Sequence, residues 1–390
     1  MASTAFENVV RDRVAPPDLI VASIDTECYR VPQHVFSPTP LKDTTHTIEA
    51  LDLIVATVRT KDDVVGMGYS YTTGHAAAAV KAMLDTEIAP YVVGRSCRDA
   101  ERLWEEAWWR THWAGRGGVS TLAMAAVDIA QWDAQAIAAG LPLYRYIGAH
   151  RDAIRGYGSG VNLSLSLPEL VTQAEEFVAR GFTGYKLKVG RPTPREDAEC
   201  LAALRATLGP DGLLIVDANM GWTLGEALRR VGDLERHGVY WLEEPIIPED
   251  VAGHAALARA TTVRIAAGEN LYTKHQFNDY FRADALHIVQ ADVVRCGGIT
   301  EWLKIAHLAQ AANLPMAPHF VAELHLHLLC AVPNALILEY LPWFDALVEE
   351  PLRSVDGLFA PPDRPGHGVT FDVEKLNRYC VHRWSSREGP

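Results

Sequence analysis

The chain has 390 residues, more than the roughly 250 to 300 at which a single hydrophobic core stops growing, so two domains are expected. Its formal net charge of −13 argues against nucleic acid or an anionic membrane as a partner, because both require a surface rich in lysine and arginine. No apolar run approaches the roughly 20 residues that span a bilayer. Residues 1–14 lack the apolar core of a targeting peptide, so we expect a soluble, cytoplasmic protein.

The first 150 residues predict an α+β domain. Three segments rich in β-branched and aromatic residues, at 19–31, 50–60 and 64–71, are typical of a small antiparallel sheet. Between residues 75 and 140 the apolar residues follow a helical period instead, as in STLAMAAVDIAQWDAQAIAAG. We therefore expect a domain with a sheet followed by helices.

From about residue 151 to residue 350 short apolar strands alternate with longer helical segments, at steps of 20 to 30 residues. Eight strands are predicted, and they begin at Tyr157, Gly184, Leu213, Val239, Arg264, Leu286, Leu314 and Leu336. This rhythm favours an α/β fold of the TIM-barrel type, with an open doubly wound sheet as the alternative. Residues 351–390 are rich in turn residues at first and are expected to return to the N-terminal domain.

Carboxylates follow three successive predicted strands. Asp217, Glu243 and Glu269 stand at the carboxyl ends of strands three, four and five, and in a barrel these ends meet at one mouth. Each residue taken alone could be a helix cap or a solvated loop carboxylate. Together they would repel one another without a cation, and oxygen ligands favour Mg²⁺, with Mn²⁺ as the alternative. Three adjacent polar residues are expected to support the ligands: Asn219, Glu244 and Asn270.

Two lysines lie two residues apart on the second predicted strand. Lys186 and Lys188 share one face of "GYKLKV", and in a barrel strand that face points inward; a surface strand with both lysines in water is the alternative. Two buried ammonium groups lower each other's pKa, and burial lowers it further. We therefore expect one of these lysines to act as a base near neutral pH.

Strands six, seven and eight end in further ionisable residues. Asp292 and His319 come from adjacent strands, an arrangement that suits a carboxylate orienting an imidazole. Glu339 ends strand eight and is expected to donate a hydrogen bond as a protonated acid if it is desolvated there.

In chain order the motifs are KLK, VDAN, LEEP, GEN, Asp292, PH and LEY. As a set they resemble the enolase superfamily, mandelate racemase subgroup. The resemblance implies a modified (β/α)7β barrel with an N-terminal α+β capping domain and Mg²⁺ on the three carboxylates named above. It further implies that Lys186 neutralises a substrate carboxylate, that Lys188 is one acid/base, and that His319 with Asp292 is the other.

Two kinds of relative are indicated within this subgroup. "APHFVAELHLHLL" and "LEYLPWF" are similar to sugar-diacid dehydratases of the galactarate/talarate type, whereas "MGYSYTTG" and "CGGITEWLK" are similar to anhydro-galactonate cycloisomerases. Ala291 and Arg295 stand where relatives often carry a proline and a smaller or uncharged residue. The resemblance also implies a homo-oligomer, from dimer to octamer.

We therefore predict an enzyme acting on a small carboxylate substrate, a sugar acid dehydratase that forms a 2-keto-3-deoxy acid. The alternatives are a cycloisomerase of an anhydro sugar acid such as 3,6-anhydro-galactonate, a racemase or epimerase of a 2-hydroxy acid and, from a different class, a non-catalytic carbohydrate-binding barrel. The polar, proline-broken segment 31–46 is long enough to form a lid, in which Lys42 or His46 would meet the distal end of the substrate.

Overall fold

The computed structural model describes residues 18–387. Residues 1–14, on which the expectation of no targeting peptide rests, lie outside the described residues. Within 18–387, none of the helices combines the length and the apolar character needed to cross a lipid bilayer.

The N-terminal part contains an antiparallel sheet of four strands, in the order β15 (Cys380–Arg387), β1 (Val21–Pro32), β4 (Ala50–Thr60) and β5 (Val65–Thr72). The strands that build it and the short hairpin beside it are β1 (Val21–Pro32), β2 (Leu41–Lys42), β3 (Thr47–Ile48), β4 (Ala50–Thr60), β5 (Val65–Thr72) and β15 (Cys380–Arg387). The last strand of the chain therefore pairs with the first. Eight helical segments belong to this part: α1 (Gln33–Phe36), α2 (Ala77–Met83), a π-helical turn (Leu84–Ile88), α3 (Ala89–Val92), a 3₁₀ turn (Cys97–Asp99), α4 (Ala100–Thr111), α5 (Val119–Ala138) and α6 (Leu143–Ile147).

The second part is a barrel of parallel strands closed between its first and last members. Its strands are β6 (Ile154–Gly158), β7 (Gly184–Lys188), β8 (Leu213–Asp217), β9 (Trp241–Glu243), β10 (Arg264–Ala267), β11 (Ile288–Val289) and β12 (Leu338–Tyr340). They pair in chain order, and β12 pairs with β6. The seventh predicted strand is reduced to bridges from Met316 to Val289 and Ala335. This closure excludes the open doubly wound sheet.

Helices separate the barrel strands and cover the outside of the sheet. They are α7 (Leu167–Ala179), α8 (Pro194–Leu208), α9 (Leu224–Arg236), α10 (Val251–Ala260), α11 (Lys274–Arg282), α12 (Ile299–Ala311) and α13 (Ala322–Ala331). A hairpin of β13 (Ser354–Val355) and β14 (Leu358–Phe359) adds to β6, and α14 (Val373–Leu376) precedes β15. The fold is thus a (β/α)7β barrel with an N-terminal α+β cap, as predicted. The boundaries at residues 150 and 350 stay a prediction.

Two glycines fix how closely the cap sheet packs on helix α5. A Cβ atom on either Gly66 or Gly68 would lie 2.2 Å from a carbonyl oxygen of α5, so only glycine allows this approach of β5 to the helix. Because side chains alternate along a strand, Tyr69 and Tyr71 project to the opposite face. The Tyr71 hydroxyl reaches Asp292 in the barrel. The close packing therefore holds a tyrosine of the cap against the barrel mouth.

Glu323, in the first turn of α13, predicts a pH dependence of stability. Its side chain is buried, its Oε2 has no hydrogen-bond partner among the described residues, and burial raises its pKa to about 8. In the unfolded chain a glutamate titrates near pKa 4.3. Between these values the folded state holds a proton that the unfolded state has lost, so the contribution of Glu323 to stability falls as pH rises from about 4 to 8.

Glu323→Gln is expected to remove this contribution. Urea unfolding measures the free energy of unfolding of both proteins at pH 5 and pH 8. The value for the variant minus that for the natural chain should increase between these pH values by on the order of a few kcal/mol. The difference between the two proteins cancels other titrating groups. An equal difference in unfolding free energy at both pH values would contradict a raised pKa of Glu323.

Candidate active site

Three carboxylates converge at the mouth of the barrel. Asp217 and Glu243 end β8 and β9 and lie opposite each other in the parallel register, and Glu269 follows β10 by two residues. All three are buried, and one oxygen from each lies within 4.8 Å of the others. The convergence follows from the parallel sheet, which brings successive strand ends to one edge.

This cluster fits a hard divalent cation. Burial and, next to it, the neighbouring charge of Asp217 raise the pKa of Glu243 to about 8. The amide oxygen of Asn219, in the loop after β8, is buried beside Asp217 without a hydrogen-bond partner among the described residues. An all-oxygen donor set whose negative charges are this close is stabilised by a bound cation such as Mg²⁺.

Lys186 is buried between carboxylates. Its Nζ lies 2.7 Å from Glu243 Oε1 and 2.7 Å from Glu339 Oε1. Burial lowers the pKa of Lys186, but these carboxylates outweigh it and raise the pKa well above its ordinary value. Lys186 is therefore a fixed positive charge on the inner face of β7.

Lys188 lies on the same face, with its Nζ 2.5 Å from Asp217 Oδ2. The prediction of a lowered pKa is wrong for this arrangement. Burial and the charge of Lys186 do lower the pKa of Lys188, but Asp217 and the other carboxylates outweigh both and raise it. The sequence showed the two ammonium groups but not the distance to the carboxylate that stabilises them.

His319 and Asp292 form a hydrogen-bonded dyad. His319 Nδ1 lies 2.9 Å from Asp292 Oδ2, and His319 Nε2 lies 3.5 Å from Glu269 Oε2. Burial acts to raise the pKa of Asp292, but the hydrogen bond and charge of His319 hold it at about 2. An ionised carboxylate that accepts from Nδ1 leaves Nε2 facing the cavity for proton transfer.

Glu339 does not match its predicted role as a protonated hydrogen-bond donor. Its Oε1 accepts from Ser159 Oγ at 2.6 Å, and its Oε2 accepts from the backbone N–H of Phe320 at 2.7 Å. Burial raises its pKa, but the charge of Lys186 outweighs burial and the pKa is lowered overall. Glu339 is therefore a carboxylate and an acceptor, which holds Lys186 in place.

The predicted supporting residues lie beside the carboxylates. Asn219 N donates to Asp217 Oδ1 at 2.8 Å. Asn270 Nδ2 donates to Glu244 Oε2 at 2.7 Å, and burial raises the pKa of Glu244 well above its ordinary value, with the charge of Glu269 acting in the same direction. These groups form a second layer around the cluster.

A cavity of about 510 Å³, counting space open to solvent, joins these groups under the cap. It is lined by both lysines and His319, and by His46 of the segment expected to form a lid. Lys42 does not line it; its side chain is exposed at a separate groove beside Arg191 and Trp222. Of the two predicted lid residues, the structure therefore brings only His46 to the site.

Sequence reasoning missed Tyr71 and gave Arg295 no role. Both line the cavity, and Arg295 Nη1 donates to Asn270 Oδ1 at 2.9 Å. The alternation of Tyr69 and Tyr71 in "GYSYT" was a signal that both project to one face. Nothing local in the sequence indicates which distant group that face meets.

Comparison with known proteins identifies the family. Residues 25–148 match the model for the mandelate racemase/muconate lactonizing enzyme N-terminal domain, and residues 169–376 match that for the enolase C-terminal domain-like family. The chain belongs to the enolase superfamily. It is therefore related over most of its described length to enzymes of the mandelate racemase/muconate lactonizing type.

Relatives of the chain within the enolase superfamily differ in their assigned activities. One is a 3,6-anhydro-alpha-L-galactonate cycloisomerase of Streptomyces coelicolor, 40% identical over 93% of this chain and 100% of the relative. Another is an L-talarate/galactarate dehydratase of Salmonella typhimurium, 37% identical over 85% of this chain and 82% of the relative. A crystal structure of a racemase from Streptomyces coelicolor with bound magnesium superposes with a TM-score of 0.89, at 40% identity, and covers 93% of this chain and 100% of that one. This enolase superfamily member is thus an enzyme.

Proposed function

We propose that this enzyme is a Mg²⁺-dependent sugar acid dehydratase that acts on a galactarate- or talarate-like acid. One observation carries the proposal: two proton-transfer groups, Lys188 and His319, border the same carboxylate cluster within one cavity. Lys188 bonds to Asp217, whereas His319 Nε2 faces Glu269. A substrate carboxylate placed at the cluster would present its α-carbon between them.

Abstraction of the proton α to a carboxylate needs the enolate to be stabilised as it forms. Asp217, Glu243 and Glu269 would hold Mg²⁺, which supplies positive charge to the enolate oxygens when bound. The buried Lys186 ammonium adds a second fixed charge without reorganisation. A bound cation also competes with Lys188 for Asp217, which would lower the pKa of Lys188 toward that of a usable base. The magnesium-bound relative supports this choice of ion.

The proposed elimination conserves atoms and protons. Lys188 or His319 takes the α-proton, and the electron pair of the C–H bond passes onto the carboxylate to form the enolate. The pair then returns to form the C2–C3 double bond as the bond from C3 to its hydroxyl breaks. An acid in the same site protonates the departing hydroxyl, which leaves as water. The resulting enol takes a proton at C3 and loses its hydroxyl proton, which gives the 2-keto-3-deoxy acid.

A cycloisomerase is the second candidate, favoured by the 40% identical relative of that activity. The same bases would remove the α-proton, but the leaving group would be a ring ether oxygen that remains attached to the product. Product and substrate then have equal mass.

We further propose that the enzyme is a cytoplasmic homo-oligomer. All six cysteines are free, as is usual in a reducing compartment. On helix α4 and just after it, Trp109 is 54% and Trp113 is 91% exposed, an apolar surface of the kind that subunit contacts cover.

The product mass tests the function. Purified protein with Mg²⁺ is incubated with a panel of aldaric, aldonic and anhydro-aldonic acids, and products are analysed by mass spectrometry. A dehydratase converts an acid to a keto acid lighter by one water, whereas a cycloisomerase gives a product of unchanged mass. Failure of every acid in the panel to react would contradict both candidates.

A further inference from the structure

The hydroxyl of Tyr71 forms a hydrogen bond to the carboxylate of Asp292, the acidic member of the dyad. Tyr71 is on β5 of the cap and is 3% exposed, and its hydroxyl is 2.6 Å from Asp292 Oδ2. The same oxygen is 2.9 Å from His319 Nδ1. One oxygen atom of Asp292 therefore holds both the imidazole and a side chain of the cap.

Tyr71 is the donor in this contact. Burial raises its pKa well above the ordinary value, and the negative charge of Asp292 raises it in the same sense, so the phenol stays protonated. Arg295 Nε donates to the Tyr71 oxygen at 3.3 Å. Phe320 packs edge-on against the ring, with ring centroids 4.9 Å apart and an interplanar angle of 84°. The phenol is thus held from three directions.

The other oxygen of Asp292 is fixed by the backbone. Asp292 Oδ1 accepts from the N–H groups of Val294 at 2.8 Å and Arg295 at 3.3 Å. Tyr71 and His319 contact Oδ2, so both oxygens of this carboxylate are oriented by hydrogen bonds. Removing the phenol hydroxyl leaves a gap beside Oδ2. Of the two hydrogen bonds that orient this oxygen, from Tyr71 and from His319, only that from His319 then remains.

We propose that Tyr71 is a positioning residue through which the cap aligns Asp292 and His319 for proton transfer, with no part in proton transfer by Lys188. The proposal rests on the proposed function. Lys188 bonds to Asp217, not to Asp292, and none of the Tyr71 contacts described above reaches it. A residue that only held the cap on the barrel would affect both bases equally.

The test compares Tyr71→Phe with Tyr69→Phe. Tyr69 lies two residues earlier on the same face of β5, is fully buried, and its hydroxyl has no hydrogen-bond partner among the described residues. The two variants therefore lose the same atom from the same strand, but only one loses a bond to Asp292.

The probes are 3-deoxy analogues of an accepted acid and of its C2 epimer, which can exchange the C2 proton for deuterium but have no C3 hydroxyl to eliminate. Their C2 protons point to opposite faces. His319→Asn and Lys188→Ala identify which epimer depends on which base. Tyr71→Phe should slow exchange of the His319-dependent epimer about 10- to 100-fold at saturation, with KM changed by less than about twofold.

Exchange of the Lys188-dependent epimer should change by less than about twofold in Tyr71→Phe, and neither epimer should respond to Tyr69→Phe. Equal slowing of both epimers, or no slowing of either, overturns the positioning role. If the natural enzyme exchanges neither acid, the proposed function fails instead. In that case the positioning role is tested by the rate at which the His319 Nδ1–H exchanges with solvent, measured in ¹⁵N-histidine spectra. The rate should increase in Tyr71→Phe and not in Tyr69→Phe. An unchanged rate in Tyr71→Phe overturns the proposal.

Discussion

Lys188→Ala is expected to slow proton exchange at C2 of the Lys188-dependent epimer by roughly 10²- to 10⁴-fold, the range that a general base contributes. The buried ammonium of Lys188 reaches the cavity. Under the proposed function it would serve only one face of a substrate held at the carboxylate cluster. Exchange from the opposite face, which we assign to His319, should persist. Isotope exchange followed by NMR measures both faces in one set of reactions.

Lys42→Ala is the matched control, because it removes an exposed lysine outside the cavity. It should leave exchange on both faces within about twofold of the natural rate. If Lys188→Ala retained full exchange on both faces, His319 would be the only base and the assignment of Lys188 would be wrong.

Asp217→Asn is expected to weaken Mg²⁺ binding and abolish turnover. The change keeps the shape of a fully buried side chain but removes one of three charges that face the ion. The loss of affinity should exceed the roughly 10- to 100-fold typical of removing a partner that only supports a ligand. Isothermal titration calorimetry with Mg²⁺ measures it directly.

Asp211→Asn provides the control for Asp217→Asn. Asp211 is exposed in the turn before β8, so the same chemical change there should leave Mg²⁺ affinity and turnover unaltered. Natural affinity in Asp217→Asn would mean that the ion does not bind at the three carboxylates. A loss of affinity in both variants would indicate a general charge effect.

The positions of the strands and of the carboxylate cluster could be predicted from the sequence because they follow from local patterns. The alternation of side chains along β7 indicated which residues face inward. The parallel strand order brought Asp217, Glu243 and Glu269 to one edge of the sheet. The seventh strand was overpredicted: "LPMAPH" has the composition of a strand, but its prolines remove backbone donors and leave isolated bridges at Met316.

Protonation states could not be predicted in the same way. Lys186 lowers the pKa of Lys188, whereas Asp217 raises it. Which effect is larger depends on distances of a few ångströms between strands. Glu339 was expected to be protonated through burial alone, but the ammonium of Lys186 at 2.7 Å reverses that effect. Tyr71 was overlooked since its partner, Asp292, is 221 residues away along the chain.

Under the proposed function, the residues of this cavity remove the proton α to the carboxylate of a sugar acid when a divalent ion is present. The most direct measurement is incubation of the sugar acid panel in deuterated water with Mg²⁺ and with EDTA, followed by NMR at C2. We predict that at least one acid gains deuterium at C2 or is converted with Mg²⁺, and that EDTA stops both. Absence of exchange and conversion for every acid, or exchange unaffected by EDTA, would show that the proposed function is wrong.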